Sequence, residues 1–95
     1  MNRKQAYEQK LDAQLDEWKA DIDKLSARAS QAEGEAQIQL NETVEKLQAQ
    51  QQIAQHKLEK FRDAGDEALD DLKSGLDIAW KNLGKAIDSA TSRFQ

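Results

Sequence analysis

The chain has 95 residues, with 18 acidic and 14 basic side chains, a net charge of −4, and neither proline nor cysteine. This length allows a single domain with a thin core, and the absence of cysteine excludes disulfides, thiolate zinc sites and thiol nucleophiles. Because lysine and arginine dominate no segment, we expect no nucleic-acid partner. The abundance of Ala, Leu, Gln, Glu, Asp and Lys predicts an all-α protein.

The N-terminal sequence MNRKQAYEQKLDAQLDEW contains no apolar run of signal-peptide length. No later window is apolar enough to predict a membrane span. We therefore expect a cytoplasmic protein.

Apolar residues recur every three or four positions from Tyr7 to Phe94, which places them on one face of a helix. We call this face the apolar stripe. Its first third follows the heptad pattern of a coiled coil, whereas four-residue steps at 36–44 and 61–69 predict a straighter helix later. The residues predicted to pack are Leu11, Leu15, Trp18, Ile22, Leu25, Leu40, Val44, Leu47, Leu58, Phe61, Leu69, Leu72, Leu76, Trp80, Leu83, Ile87 and Phe94.

Two segments of the stripe are unusual. Ala29, Ala32 and Ala36 are small, so helices can approach closely there but bury less area per residue. Gln51 occupies a stripe position in a glutamine-rich segment. Its amide either fixes the packing register or lies in a loose, hydrated part of the interface.

A break in the helix is predicted near Gly65, where a glycine falls in the stripe and Asp63 or Asp66 could cap a new helix. Acidic residues follow in the first two turns and basic residues lie toward the other end, as the helix dipole favours. Gly65 is either a turn, giving a helical hairpin, or a kink in an extended coiled coil. By contrast, Gly34 lacks flanking capping residues and predicts no convincing second turn.

The predicted organisation is therefore one helical coiled-coil domain over 1–95. A long heptad helix covers 1–62, and a C-terminal amphipathic helix covers 66–94. Within the second helix, LKSGLDIA and LGKAIDSA repeat after eleven residues. Such repeats occur in lipid-binding apolipoproteins, so a membrane surface is the weaker alternative partner.

Reactive side chains form no convincing set. His56 and Glu59 share a helical face, but the further inward-facing carboxylates of a di-iron bundle are missing, so His56 is expected to be solvated. Carboxylates spaced four apart are better explained by helix starts than by a cation site. We expect no catalytic, cofactor or metal site, and no enzymatic activity.

Three isoleucines, Ile38, Ile53 and Ile78, lie off the apolar stripe. They mark either a second contact face, as a bundle of three or more helices requires, or scattered surface residues.

The last third of the chain, FRDAGDEALDDLKSGLDIAWKNLGKAIDSATSRF, resembles a family of small bacterial coiled-coil proteins labelled as stress-response proteins. The family pattern falls on Gly65, Asp66, Ala68, Asp71, Leu72, Lys73, Gly75, Ala79, Trp80, Leu83, Ala86, Ala90, Ser92, Arg93 and Phe94. Leu69 departs from it, because many members have Trp there. The resemblance implies a bacterial, non-enzymatic, helical protein linked with stress.

The leading functional prediction is a structural or interaction protein, a scaffold or adaptor. A lone amphipathic helix leaves its stripe in water, and association removes it. We therefore expect a homo-oligomer, or contact with a helical protein partner.

Overall fold

A computed structural model of the protein describes residues 2–94, with Asp66 described by its backbone alone. The chain forms three α-helices, α1 (Arg3–Gln31), α2 (Gly34–Asp63) and α3 (Leu69–Arg93), and a short 3₁₀ helix (Asp66–Ala68) leads into α3. Residues 2–94 contain no β-strand. The prediction of an all-α fold is confirmed.

The three helices form an up-down-up bundle that measures 51 × 21 × 18 Å. Tyr7, near the start of α1, packs against Phe61, near the end of α2, so these two helices are antiparallel. Trp18 of α1 contacts Trp80 of α3, and Arg28 donates to the carbonyl of Phe94, so α1 and α3 run in the same direction.

Helix α1 begins with a capping box. The Asn2 side chain accepts from the Gln5 amide at 2.8 Å, and the Asn2 amide donates to the Gln5 side chain at 3.4 Å. This reciprocal pair satisfies two backbone groups that a helix start otherwise leaves without partners.

The prediction of one long helix over 1–62 is wrong, because the chain turns between Gln31 and Gly34. Gly34 adopts a left-handed backbone conformation with φ 65°, which glycine reaches without steric strain. Glu33, at the N-cap of α2, makes no side-chain cap. The turn lacks the capping signals that sequence analysis looks for, because it is made by backbone conformation.

The predicted break near Gly65 is confirmed, and of the two alternatives, a turn or a kink, the structure shows a turn. Helix α2 ends at Asp63, and the amide of Ala64 closes it on the carbonyl of Phe61 at 3.3 Å. The N-cap residue of α3 is Ala68, which makes no side-chain cap. The predicted cap by Asp63 is therefore not formed, and the side chain of Asp66, the other predicted cap, lies outside the described part.

The apolar stripes of the three helices meet in one core. Leu69, Leu72 and Phe94, together with Tyr7, are half-buried against it. Ala36 was also placed on the stripe, but it is exposed. The other predicted packing residues are buried, namely Leu11, Leu15, Trp18, Ile22, Leu25, Leu40, Val44, Leu47, Leu58, Phe61, Leu76, Trp80, Leu83 and Ile87.

This arrangement changes the argument for association. The stripe is covered by helices of the same chain, so contact with a second molecule is not needed to remove it from water. While the bundle stays closed, any surface for a partner must therefore lie on its outside. Within residues 2–94, no helix is both long enough and apolar enough to cross a membrane.

Candidate functional site on the α2–α3 face

The outer surface carries three large exposed apolar side chains within the described part of the chain. Ile38, Ile53 and Ile78 are 58%, 54% and 61% exposed. Ile53 on α2 and Ile78 on α3 line the same shallow groove, whereas Ile38 lies outside it. The structure thus brings together two of the three off-stripe isoleucines, which favours a contact face over scattered residues.

Two neighbouring helices form this groove, which we call the α2–α3 groove. Its floor contains Leu83 and Ala79 of α3, and Lys57 contributes a cation on the α2 side. The Lys57 ammonium would lie 4.0 Å from a Cβ added at Gly75, so it reaches across to the opposite helix. The other lining residues are the amides Gln50 and Asn82. The groove therefore combines an apolar centre with a polar rim, the usual anatomy of a protein interface.

Two tryptophans pack between α1 and α3 in the middle of the bundle. The rings of Trp18 and Trp80 lie 6.0 Å apart at an angle of 47°. A Cβ at Gly84 would come within 3.1 Å of the Trp18 ring, so the absence of a side chain at 84 lets α1 pack closely on α3. The indole N–H of Trp80 is buried and makes no hydrogen bond to the described residues.

One end of the bundle is aromatic. Tyr7 and Phe61 meet edge to face with their centroids 5.4 Å apart. The ammonium groups of Lys4 and Lys73 lie 5.8 Å and 5.3 Å from the Phe61 and Tyr7 ring centroids. Cations over aromatic faces are attracted by the ring quadrupole. Lys4 also donates to main-chain carbonyls at the end of α2, so side chains hold this end together.

The hydroxyl of Tyr7 donates to the carboxylate of Asp77 on α3. Burial raises the pKa of Tyr7 above its ordinary value of 10.0, and the hydrogen bond to Asp77 and its negative charge raise it further. All of these effects favour the neutral phenol. The pair therefore acts as a structural link between α1 and α3.

The opposite end of the bundle is rich in alanine. Ala29 and Ala90 are buried there, but Ala36 is exposed. The side-chain amide of Gln37 donates to the carbonyl of Ala29 at 3.1 Å, which satisfies a group at the end of α1. Small side chains leave little apolar surface to bury, so this end is held by less packing than the aromatic end.

Gln51 is half-buried and lines a groove between α1 and α2, among three carboxylates, the cations Lys19 and Arg62, and a second glutamine. Within the described part of the chain, the Gln51 side chain forms no hydrogen bond, and no buried amide pair occurs. This environment favours the hydrated interpretation of Gln51 over a role in fixing the register.

His56 is exposed on α2, as predicted for a solvated residue. Across the described residues, no three His, Asp or Glu side chains come together in a way that could hold a metal ion. The ion pair between Arg62 and Asp12 links α2 to α1 at a surface where both side chains are more than 40% exposed, so its contribution to stability is small.

Comparison of the chain with protein-family models, with curated proteins and with solved structures finds no match. The resemblance to bacterial stress-response proteins therefore stays a prediction from the C-terminal motif.

Proposed function

We propose that the protein is a non-enzymatic helical interaction module that self-associates through the α2–α3 groove. The observation that carries this proposal is the pairing of Ile53 and Ile78, each more than half exposed, across one groove. Fully burying an exposed isoleucine side chain is worth roughly 1.5–3 kcal/mol, and each of these two still has 54–61% of its surface exposed, so covering it contributes about half of that.

A second copy of the chain is the occupant that fits this face. In a two-fold dimer with its axis along the groove, α2 of one copy lies opposite α3 of the other. Ile53 then packs against Ile78 of the second copy, and the reverse contact forms as well. The same symmetry places the Lys57 side of α2 near Asp71, which is exposed one turn before Gly75. Apolar contact and opposite charges therefore coincide.

The groove presents isoleucine, alanine and leucine side chains, two amides and one lysine. These residues suit packing better than acid–base or nucleophilic chemistry, which needs paired reactive groups. Together with the C-terminal resemblance, this composition supports a cytoplasmic scaffold or adaptor role in a bacterial stress response. The heptad pattern of α1 supports coiled-coil packing between the helices.

Substitution of the two groove isoleucines tests the proposal. The double variant Ile53→Glu, Ile78→Glu should lower the solution mass while its helical circular dichroism is retained, because like charges then face each other across the groove contact. Ile38→Glu is the matched control, because Ile38 is equally exposed on α2 but lies outside the groove. Light scattering that shows the same mass for the wild type and the double variant at every concentration would disprove the groove contact.

Reversible binding to a lipid surface is the second candidate. The apolar face of α3 is buried in the bundle, so its use on a membrane requires opening. The aromatic end offers contact without opening, because three cations, Arg3, Lys4 and Lys73, and one carboxylate, Asp70, lie beside the partly exposed Tyr7 and Leu69. Cations beside apolar groups suit an anionic headgroup region.

Vesicle co-sedimentation tests this second candidate. The protein should sediment with anionic vesicles more than with neutral ones, and Lys73→Gln should weaken the binding. Absence of sedimentation with either vesicle type would rule out lipid binding.

A further inference from the structure

The turn between α1 and α2 is short and has few side-chain supports. Only Ala32 and Glu33 separate the two helices, and Glu33 forms no cap. A Cβ added at Gly34 would meet no atom within 4 Å, so no neighbour packs against this residue. Across the turn, Gln37 bonds to the carbonyl of Ala29. The turn therefore depends mainly on the left-handed backbone of Gly34.

The apolar stripe keeps its phase through this turn. Leu25, Ala29, Ala32, Ala36 and Leu40 follow one another in steps of four, three, four and four residues. They would share one face if the backbone were helical throughout. In the bundle, however, Ala36 is exposed, whereas Ala32 is half-buried and packs against the core. The stripe thus contains one residue, Ala36, that the closed bundle does not use.

We infer that two copies of this chain exchange α1 through a straightened α1–α2 helix and form a domain-swapped dimer. In this dimer, the turn at Gly34 becomes helical, and α1 of each copy packs on α2 and α3 of the other. The contacts of α1 in the closed bundle, such as Trp18 against Trp80, are all recovered between chains. The free-energy difference between the closed monomer and the exchanged dimer therefore comes from the turn at Gly34 and from the entropy lost on association.

The alanines at the turn acquire a role in the exchanged form. Two continuous helices over residues 3–63 would each be about 90 Å long and would cross near Gly34 in antiparallel directions. Around such a two-fold crossing, Ala32 of one copy lies opposite Ala36 of the other. Small side chains allow close approach of the helices there, and the exposed Ala36 becomes buried.

This exchange goes beyond the groove contact proposed above, and neither form of association depends on the other. The groove contact uses Ile53 and Ile78 on the outside of intact bundles, whereas the exchange uses the core and the turn at Gly34. Each can therefore be removed without the other.

Replacement of the turn glycine provides the first part of the test. Gly34→Ala places a Cβ on a residue with φ 65°, which strains the closed turn but suits a continuous helix. Because one dimer removes two strained turns, the dimerisation constant should rise roughly 30-fold or more. The matched control is Gly65→Ala, since Gly65 lies in the other turn without a left-handed φ and has open space around it. The control should leave the dimerisation constant unchanged.

Crosslinking then separates exchange from surface contact. Asp12 and Arg62 are partners across α1 and α2, and the chain has no cysteine. In an Asp12→Cys, Arg62→Cys background, a short bis-maleimide should link the two sites within one chain in the monomer and between chains in the exchanged dimer. X-ray scattering should show the maximum dimension rising from near 51 Å toward about 90 Å.

Three results overturn the inference: a folded Gly34→Ala protein that stays monomeric at all concentrations, a dimer whose crosslinks remain within one chain, or an unchanged maximum dimension. If Gly34→Ala does not fold, wild-type protein refolded from urea at high concentration is tested by the same crosslink, and only intrachain products then reject the exchange. The groove variant Ile53→Glu, Ile78→Glu combined with Gly34→Ala should still exchange.

Discussion

The two ends of the bundle are built differently. At the aromatic end, Tyr7 and Phe61 pack edge to face, and Lys4 donates to the carbonyls of Arg62 and Ala64 at 2.9 Å and 3.3 Å. A cation at the last carbonyls of a helix satisfies groups without partners and complements the helix dipole. The turn from α2 to α3 is therefore fixed by side chains that reach it from α1.

At the alanine-rich end, the corresponding turn has one such contact, from Gln37 to Ala29, and otherwise relies on the backbone of Gly34. The difference shows that a glycine is not what makes a turn stable in this protein. Both turns contain one, but the fully buried ring of Phe61 lies at the aromatic end, and the charged side chain at the alanine-rich end, Arg28, caps α3 and does not reach the turn. We therefore expect local stability to decrease from the aromatic end to the alanine-rich end.

The largest expected effect comes from removing the ring at the aromatic end. Phe61 is 3% exposed, so Phe61→Ala should lower the free energy of unfolding by about 3–5 kcal/mol. Ile38→Ala near the other end should change it by less than about 0.5 kcal/mol, since that side chain is mostly exposed. Urea denaturation followed by circular dichroism measures both. Similar losses for the two variants would show that the Phe61 ring does not stabilise the aromatic end.

The contrast between the ends also explains why the sequence predicted the turn at Gly65 but not the turn at Gly34. The turn after α2 was predictable because Gly65 is followed by Asp70 and Asp71, which favour a helix start. The turn at Gly34 has no comparable signal. Its one side-chain contact comes from a glutamine, a residue common throughout α2. The run of small stripe residues, Ala29, Ala32 and Ala36, was a usable clue, because a turn placed among small residues loses little buried apolar area.

The candidate site was only partly predictable for a related reason. Periodicity identified Ile53 and Ile78 as residues outside the stripe. Whether they meet depends on which faces of α2 and α3 contact each other. Those faces are set by the packing of α1, which is a separate helix because of the turn at Gly34. With a single turn at Gly65, the predicted hairpin does not say where residues 3–31 lie. It therefore does not say which face of α2 is covered and which is free.

A smaller loss is expected when the charged cap is removed. Lys4→Met keeps the aliphatic stem near Phe61 but loses both donations to the end of α2. Hydrogen bonds from charged donors are worth about 1.5–3 kcal/mol, so a decrease of about 2 kcal/mol in the free energy of unfolding should result. Lys46→Met, at an exposed site in the middle of α2, is the control and should be nearly neutral. Equal effects of the two substitutions would show that Lys4 does not stabilise the aromatic end.

The smallest effect is a weakness of the aromatic end at alkaline pH. The pKa of Tyr7 is raised in the folded protein, so the folded state holds this proton more tightly than the unfolded chain does. The resulting stabilisation is fully present below pH 10, the ordinary pKa of tyrosine, and is lost as the pH rises above it. The slope attributable to Tyr7 is at most about 1.4 kcal/mol per pH unit.

Comparison with Tyr7→Phe isolates this effect, because the variant keeps the ring against Phe61 and loses only the hydroxyl. The two proteins share every other side chain, so the difference between them isolates the Tyr7 hydroxyl. The wild type should therefore be more stable than the variant at pH 8, and the gap should narrow above pH 10. Tyr7 is the only tyrosine, so phenolate absorbance reports its titration directly in the folded protein. A phenolate that forms with a midpoint near 10 would mean that the link to Asp77 does not hold the aromatic end together, and that its rings and the Lys4 cap suffice.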